Sequence, residues 1–562
     1  MAAETSAVQH RAQDPLFLAQ CSLAGLRDRL PLCWPTPADT PPSPKKSYRS
    51  HYVYLGWDDL RDPATWNQCS DFDLLLRLVD FGGLRPVLAQ CLGWRSGRGY
   101  TPFDPVSLFL LIGWQITNAW SRAQTLRNLQ HSRYADYARR FGFHDGYFPT
   151  EGGLRHFLTA LGSHSTLDET LLVDQESQTA VAFQRLNQLI AQSVALLHQA
   201  GLISPQAWQE ALLCPDGMIH QAASRLRCTS VTDACYQPTS PAQRRLCPAK
   251  DKGRRGCDCD TPACAQICRH APPRDPQARF VYYSGSNRSA SPNAPTDTAK
   301  ADPPKGKAFH GYRSLALQWV DPQRRFSLVL LADFLPANAR EELTATALLR
   351  QLSRYYPNLQ PEAVVGDAAF GYDLFLKTIY RHLHARRLVD LRSHTSDDDK
   401  GGWPMRGYDD KGRPVCPYGY AFVSNGHDRK RQRHKWICAQ SCRTGTAPIV
   451  QLPDVDYPPQ ECPYAQPHRP HGKVLNVAES FPDGSLRLVR DLPVGTPQWK
   501  NAYHRARNAV ESRNANHEHW GLKRLSVFGD PRGRATLFQA DVWDNLTTLA
   551  RLVREATAAT GS

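Results

Sequence analysis

A chain of 562 residues is too long for one ordinary hydrophobic core, and the length suggests three or four structural units. Lys and Arg total 68 against 53 for Asp and Glu; the resulting +15 favours a polyanionic partner, nucleic acid first, with a basic protein lacking such a ligand as the plain alternative. The longest apolar run, SLFLLIGWQI at 107–116, is well short of the roughly 20 residues a bilayer crossing needs, so no membrane span is expected.

Near the N-terminus, PLFLAQCSLAGL lacks the charged start and unbroken apolar core of a secretory signal, so the expected location is cytoplasmic. Residues 1–50 read as a flexible lead-in, Pro-rich at 35–48. Residues 51–165 read as a helical domain: FDPVSLFLLIGWQITNAW, TLRNLQHSRYADYARRFGF and PTEGGLRHFLTALG carry apolar residues at three- and four-residue spacings between Asp71 and Gly162. Arg127, Arg133, Arg139 and Arg140 lie among aromatic residues there, which suits DNA phosphates; a solvated basic helix face is the alternative. Residues 166–210 read as linker helices, with a helix from about Ala180 to Gln199 burying Phe183, Leu186, Ile190, Val194 and Leu197 and stopping at Gly201.

From Ala211 the pattern changes. ALLCPDGM, YRSLALQWVD and FSLVLLADF read as strands, ELTATALLRQLSRYY as a helix, EAVVGDAAF as a strand, YDLFLKTIYRHLHA as a helix and RLVDLRS as a short strand. The fold class is therefore α/β: a mixed sheet with helices packed on it, covering 211–392 plus 501–562. Two Cys-bearing insertions interrupt it, at 218–309 and at 393–500.

Asp216 in LLCPDG and Asp367 in AVVGDAAFG both read as strand-end carboxylates at the same end of one sheet, and two hard oxygen ligands there can share a divalent ion. Each Asp alone is also an ordinary turn former. In NAYHRARNAVESRNANHEHWGLKR, Tyr503, Arg507 and Glu511 are four apart and so share one helix face. An i, i+4 surface pair is the alternative for Arg507 and Glu511.

Taken together, these segments resemble the insertion-sequence transposases of the RNase H-like, retroviral-integrase-like superfamily, whose catalytic triad is Asp, Asp, Glu. The resemblance rests on LLCPDG, VVGDAAFGYD and RNAVESRNANHEHWGLKRL, and extends to SRYADYARRFGF and PTEGGLRHFLTALG, which look like that family's end-recognition domain; it covers roughly 70–165 and 205–555. It implies an RNase H-like catalytic core in which Asp216, Asp367 and Glu511 hold two Mg²⁺ (or Mn²⁺) ions. It further implies Arg507, Lys523 and Tyr503 as DNA-binding residues, and cleavage of transposon ends followed by strand transfer into target DNA. The family signature places Tyr three before Arg and Lys seven after Glu; here Tyr503 precedes Arg507 by four, the +7 position is Glu518, and Lys523 is twelve past Glu511. Double-stranded DNA, a homodimer in the synaptic complex and a nucleoid-associated location in a bacterial cytoplasm follow as implied partners and place. A catalytically inactive zinc-containing DNA-binding protein derived from a transposase, and an RNase H-like nuclease that cleaves without joining, are the rival readings.

Sixteen Cys in a long cytosolic chain point to metal more than to disulfides. Cys416, Cys438, Cys442 and Cys462 in the late insertion, and Cys257, Cys259, Cys264 and Cys268 in the early one, would suit structural zinc, with buried thiols as the alternative.

Overall fold

A computed structural model describes residues 23–56, 65–143, 146–174, 178–224, 277–283, 307–321, 326–389, 413–416, 419–428, 433–438, 472–478 and 497–558, together with 275, 324, 430 and 440. Within the segment expected as flexible, Leu26, Leu32 and Trp34 are buried, whereas every residue of the Pro-rich stretch 35–48 is exposed or only partly buried. Trp34 is buried and donates its indole N–H to Gln192 Oε1 at 2.8 Å, and the Thr36 hydroxyl donates to the Gly83 carbonyl. Proline fixes this segment in an extended form without preventing one large anchor from docking.

The helical region expected between Asp71 and Gly162 is present, but as six helices: two precede the first expected segment, and the second expected segment, which carries Arg127 to Arg140, is broken in two. Ser70 caps α1 (Asp71–Leu78) by accepting from the Asp73 N–H, and α2 (Leu84–Cys91) comes next. Buried Asp104 caps α3 (Pro105–Thr117), whose first residue is proline, so that one unmatched N–H is removed at the end where it has no partner. Ser121 caps α4 (Arg122–Gln130), α5 (Ala135–Phe141) stops at Gly142 with φ +90°, and Thr150 caps α6 (Glu151–Ser163).

The linker reads differently from the expectation. A hairpin of β1 (Thr166–Asp174) and β2 (Thr179–Gln184) occupies its first part, and the helix α7 is confined to Asn187–Gln199. The predicted interior set, Phe183, Leu186, Ile190, Val194 and Leu197, is buried, but Phe183 belongs to a strand. Thr179 and Val181 are β-branched and pair across to Asp174 and Leu171, which outweighs a four-residue apolar spacing that happens to continue into the helix.

The protein is mixed α/β. Its six-stranded sheet contains β3 (Leu212–Gln221), β4 (Arg279–Tyr283), β5 (Lys307–Asp321), β6 (Phe326–Pro336), β7 (Ala363–Gly366) and β8 (Arg386–Val389). The order is β8-β7-β3-β5, with β4 and β6 along the far side of β5; β3, β5 and β6 run antiparallel, and β7 and β8 run parallel to β3. Between β6 and β7 lies α8 (Glu341–Tyr355), which carries the chain back across β5 and β3, and between β7 and β8 lies α9 (Asp373–His382), the crossover that these parallel neighbours need. The sheet claims more of the first insertion than expected, since β3 runs on to Gln221 and β4 comes from within it.

The outer edge of β6 is sealed by two buried asparagines. Asn545 exchanges both hydrogen bonds with the Val329 backbone, and Asn187 does the same with Ala332, so the edge offers fewer open backbone groups for pairing.

In the second insertion, β9 (Val423–Asp428), β10 (Arg433–Ile437) and β11 (Val474–Ala478) form an antiparallel sheet. Two long helices complete the chain, α10 (Pro497–His519) and α11 (Asp530–Ala558). The helices of 71–163 and the sheet share one hydrophobic core, and α11 joins them: Trp543 stacks on Phe72 at 4.8 Å and on Phe109 at 5.8 Å. Among the described residues no helix is long and apolar enough to cross a membrane.

Candidate active site

Asp216 stands in the middle of a ten-residue strand and not at its end as expected, so a turn-forming role does not apply to it. Asp367 does directly follow its strand, and its Oδ1 accepts from the Ala369 N–H at 2.9 Å in a local turn. The parallel register pairs Leu212 with Ala363 and Leu213 with Val364. Asp216 and Asp367 each lie three residues past the second pair, which sets the two carboxylates level on adjacent strands.

Helix α10 lies across this face. Ala506, Ala509 and Val510 pack on Leu212, Cys214, Val365 and Leu388, small residues letting the helix come close. Its neighbouring stripe meets Asp216. Arg507 Nη1 donates to Asp216 Oδ1 at 2.9 Å, and Asn514 Nδ2 donates to Asp216 Oδ2 at 2.6 Å. Glu511 sits between them in sequence, four past Arg507 and three before Asn514, so it borders the same stripe, with its side chain exposed. Tyr503, one turn before Arg507, is partly buried against the apolar patch.

No protein-family model matches the chain, and no curated protein is similar to it.

The electrostatics tie both aspartates to the helix. Burial alone would lower the pKa of Arg507, but Asp216, then Cys214 and Asp367, carry it above its ordinary value, so its charge is secure. Burial pushes the Cys214 thiol up to about 12, which keeps it protonated and leaves the carboxylates as the hard donors of the site. Behind the strand, Glu341 at the start of α8 is ion-paired with Arg313. Burial drives its carboxyl up to about 7 against the pull of Arg313, with Asp367 and Asp216 adding to the rise. A Cβ on Gly217, beside Asp216, would stand 2.9 Å from Glu341 Oε2, so a larger residue there would have to shift a carboxylate already paired with Arg313.

Below Asp216 the α10–α11 contact is polar and dry. Arg513 donates from Nε to Asp541 Oδ1 at 2.6 Å, from Nη2 to Ser314 Oγ at 3.2 Å and from Nη1 to Asn514 Oδ1 at 3.3 Å. Buried His220, whose pKa burial lowers to about 3, lies 2.8 Å from Ser314 Oγ through Nε2. Asn514 and its support by Arg513 were not singled out from sequence; the available signal was Asn514 seven residues past Arg507, hence on its face.

Other expected residues are placed elsewhere. Lys523 pairs with exposed Glu518 at 2.6 Å, and its carbonyl accepts from the Gln221 N–H at the end of β3. Arg139 and Arg140 both bond Asp136, and Arg140 is buried, so that stretch of the basic face is partly neutralised, while Arg127 and Arg133 are exposed. Cys416 accepts a hydrogen bond from the Tyr420 N–H in a tight turn, and Cys438 leads out of β10; Cys442, Cys462, Cys257, Cys259, Cys264 and Cys268 lie outside the described residues. Among the described residues no three His, Cys, Asp or Glu side chains are gathered to hold a metal ion.

Proposed function

We propose that the protein is a DNA transposase of the acidic-triad type that cleaves transposon ends and transfers them to target DNA. The observation that carries this reading is the level placement of Asp216 and Asp367 on adjacent parallel strands, with Arg507 and Asn514 of α10 both bonded to Asp216 and Glu511 on the helix turn between them. The strand order, an antiparallel β3-β5-β6 meander followed by two parallel strands reached through α8 and α9, supports an RNase H-like core.

The donor set is all carboxylate oxygen, the chemistry that Mg²⁺ or Mn²⁺ prefers, and Asp216, Asp367 and Glu511 are the residues that would hold two such ions. Ions held by these carboxylates would supply charge stabilisation for an in-line phosphodiester displacement. The residues themselves do the rest. Arg507 balances the charge of Asp216 and offers further guanidinium N–H groups to a phosphate, while Asn514 fixes the second Asp216 oxygen. Exposed Glu511 is free to turn toward the aspartates by rotamer. In this reading Tyr503, one turn before Arg507, and Lys523, beyond the end of α10, are DNA contacts, two protomers bring two ends together, and the Cys groups of the insertions would hold structural zinc, all within the nucleoid-associated cytoplasm of a bacterium.

The test is cleavage and joining of labelled DNA carrying the ends that flank the gene, with Mg²⁺, by the native protein and by Asp216→Asn, Asp367→Asn and Glu511→Gln. Loss of both steps in each variant with DNA binding retained supports the proposal. Cleavage without joining identifies a nuclease, and binding without cleavage by the native protein identifies a silent DNA-binding protein. Metal analysis of the purified protein reports on zinc independently.

A further inference from the structure

A cavity of about 660 Å³ opens in the helical layer, remote in sequence from the carboxylates. Its wall is aromatic, with Trp94, Tyr100, Phe103, Tyr147, Phe148 and Phe157, and two of these rings stand largely in solvent: Tyr100 is 72% exposed and Tyr147 64%. Single exposed rings are commonplace, but two on the rim of one cavity are a concentrated apolar feature that the fold itself does not use. Tyr100, Thr101 and Pro102 are shared with an adjoining cavity of about 440 Å³, whose wall adds Lys45, Lys46 and Arg98. Arg49 and His156 stand in the wall of the first. The Lys45 ammonium lies 5.9 Å from the Tyr100 ring centre and donates to the Arg98 carbonyl at 2.5 Å, holding the two basic segments side by side. Among the described residues neither wall contains Asp or Glu.

We propose that this aromatic groove with its basic rim takes unpaired bases of a DNA strand, with the bases stacked on Tyr100 and Tyr147 and the backbone phosphates met by Lys45, Lys46, Arg49 and Arg98. The inference rests on DNA being the ligand proposed above and adds that a segment of it is bound out of the duplex. Intact duplex hides its base faces in the stack, so only splayed or single-stranded nucleotides can fill an aromatic cavity. The volume is in the range that accepts a ligand of a few rings. A proline-rich peptide also docks on aromatic grooves, but it gains nothing from the several cations of these walls, which carry no acid among the described residues.

The experiment measures binding of a fluorescent dT oligonucleotide, and of a matched duplex with and without an extrahelical 2-aminopurine, to the full-length protein without divalent metal. The proteins compared are the native chain, Tyr100→Ala, Tyr147→Ala, the double variant and the Tyr→Phe pair. The expected result is a loss of about 5- to 100-fold in single-strand affinity per ring removed. Tyr→Phe should keep native affinity, duplex affinity should stay within about twofold, and the 2-aminopurine should be quenched only when the rings are present. Equal loss on duplex and single strand, no loss on either, or competition by a proline-rich peptide that depends on the same tyrosines would overturn the proposal. Tyrosine-dependent single-strand binding in a protein that never cleaves sinks the transposase reading alone. Cleavage by a protein whose double variant binds every DNA normally sinks the groove alone, and absence of all DNA binding sinks both.

Discussion

Arg513 and Asp541 form an ion pair with both side chains excluded from water, Nε to Oδ1 2.6 Å, locking α10 onto α11 directly beneath Asp216. Burial would raise the Asp541 pKa, but Arg513, with His517, holds it below its ordinary value.

Removing one member of that pair leaves the other charged and buried. Asp541→Ala is expected to cost about 3–5 kcal/mol, read as a lowered urea midpoint, whereas Arg513→Met combined with Asp541→Leu should recover most of the loss. A single variant as stable as the native protein would show that water reaches this contact.

Under the proposed function Asn514 is a positioning residue for Asp216. Its bond to that carboxylate is worth about 1.5–3 kcal/mol, so Asn514→Ala should lower the unfolding midpoint by up to that amount and the cleavage rate by about ten- to a hundredfold, whereas Asn514→Gln, which keeps the amide, should lose less of each. Unchanged cleavage would mean that Arg507 alone orients Asp216.

The junction between helices and sheet is tight at Gly113, where an added Cβ would stand 2.0 Å from Trp543 Cε2. Gly113→Ala should destabilise by about 1–3 kcal/mol through overpacking, and Trp543→Ala by about 3–5 kcal/mol through the cavity it leaves. In the double variant the two costs should not add, because the ring that clashes is gone; strict additivity in thermal unfolding would refute the contact.

The contribution of Asp333 to stability should fall as pH rises through the weakly acidic range. Burial raises the Asp333 carboxyl from 3.8 to about 6, against Arg534 and the Phe334 N–H. The native state therefore keeps a proton on Asp333 that the unfolded chain releases, and this contribution is full below about pH 4 and is lost through pH 6, by at most about 3 kcal/mol. Glu341, raised to about 7, acts with the same sign; His220, lowered to about 3, acts oppositely, its contribution being lost as pH falls below about 6.5. Asp333→Asn should flatten the decline between pH 4 and 6 and leave the part near pH 7, measured by denaturant titration at each pH.

Much of the secondary structure was legible because its periods are clean. FSLVLLADF and ELTATALLRQLSRYY became β6 and α8, and Phe183, Leu186 and Ile190 were recognised as interior even where strand was taken for helix. Asp216, Asp367 and Arg507 were singled out by residue type and spacing, and the structure brings the first and last into a bond and the two aspartates level. Other features are tertiary. Asn514 gains its place only when α10 docks on β3, Gly217 only because Glu341 comes from a helix more than a hundred residues away, and Trp34 because Gln192 supplies a partner. No local pattern encodes those meetings.

The sharing of one core through α11 also bears on synthesis. Phe72, Phe81 and Phe109 are made early, yet the ring that lies against all three is Trp543. At 5–20 residues per second, roughly 20–90 s separate Phe109 from Trp543 on the ribosome. During that interval the helical layer lacks the ring that closes its aromatic cluster, so its packing is completed only once α11 has been made.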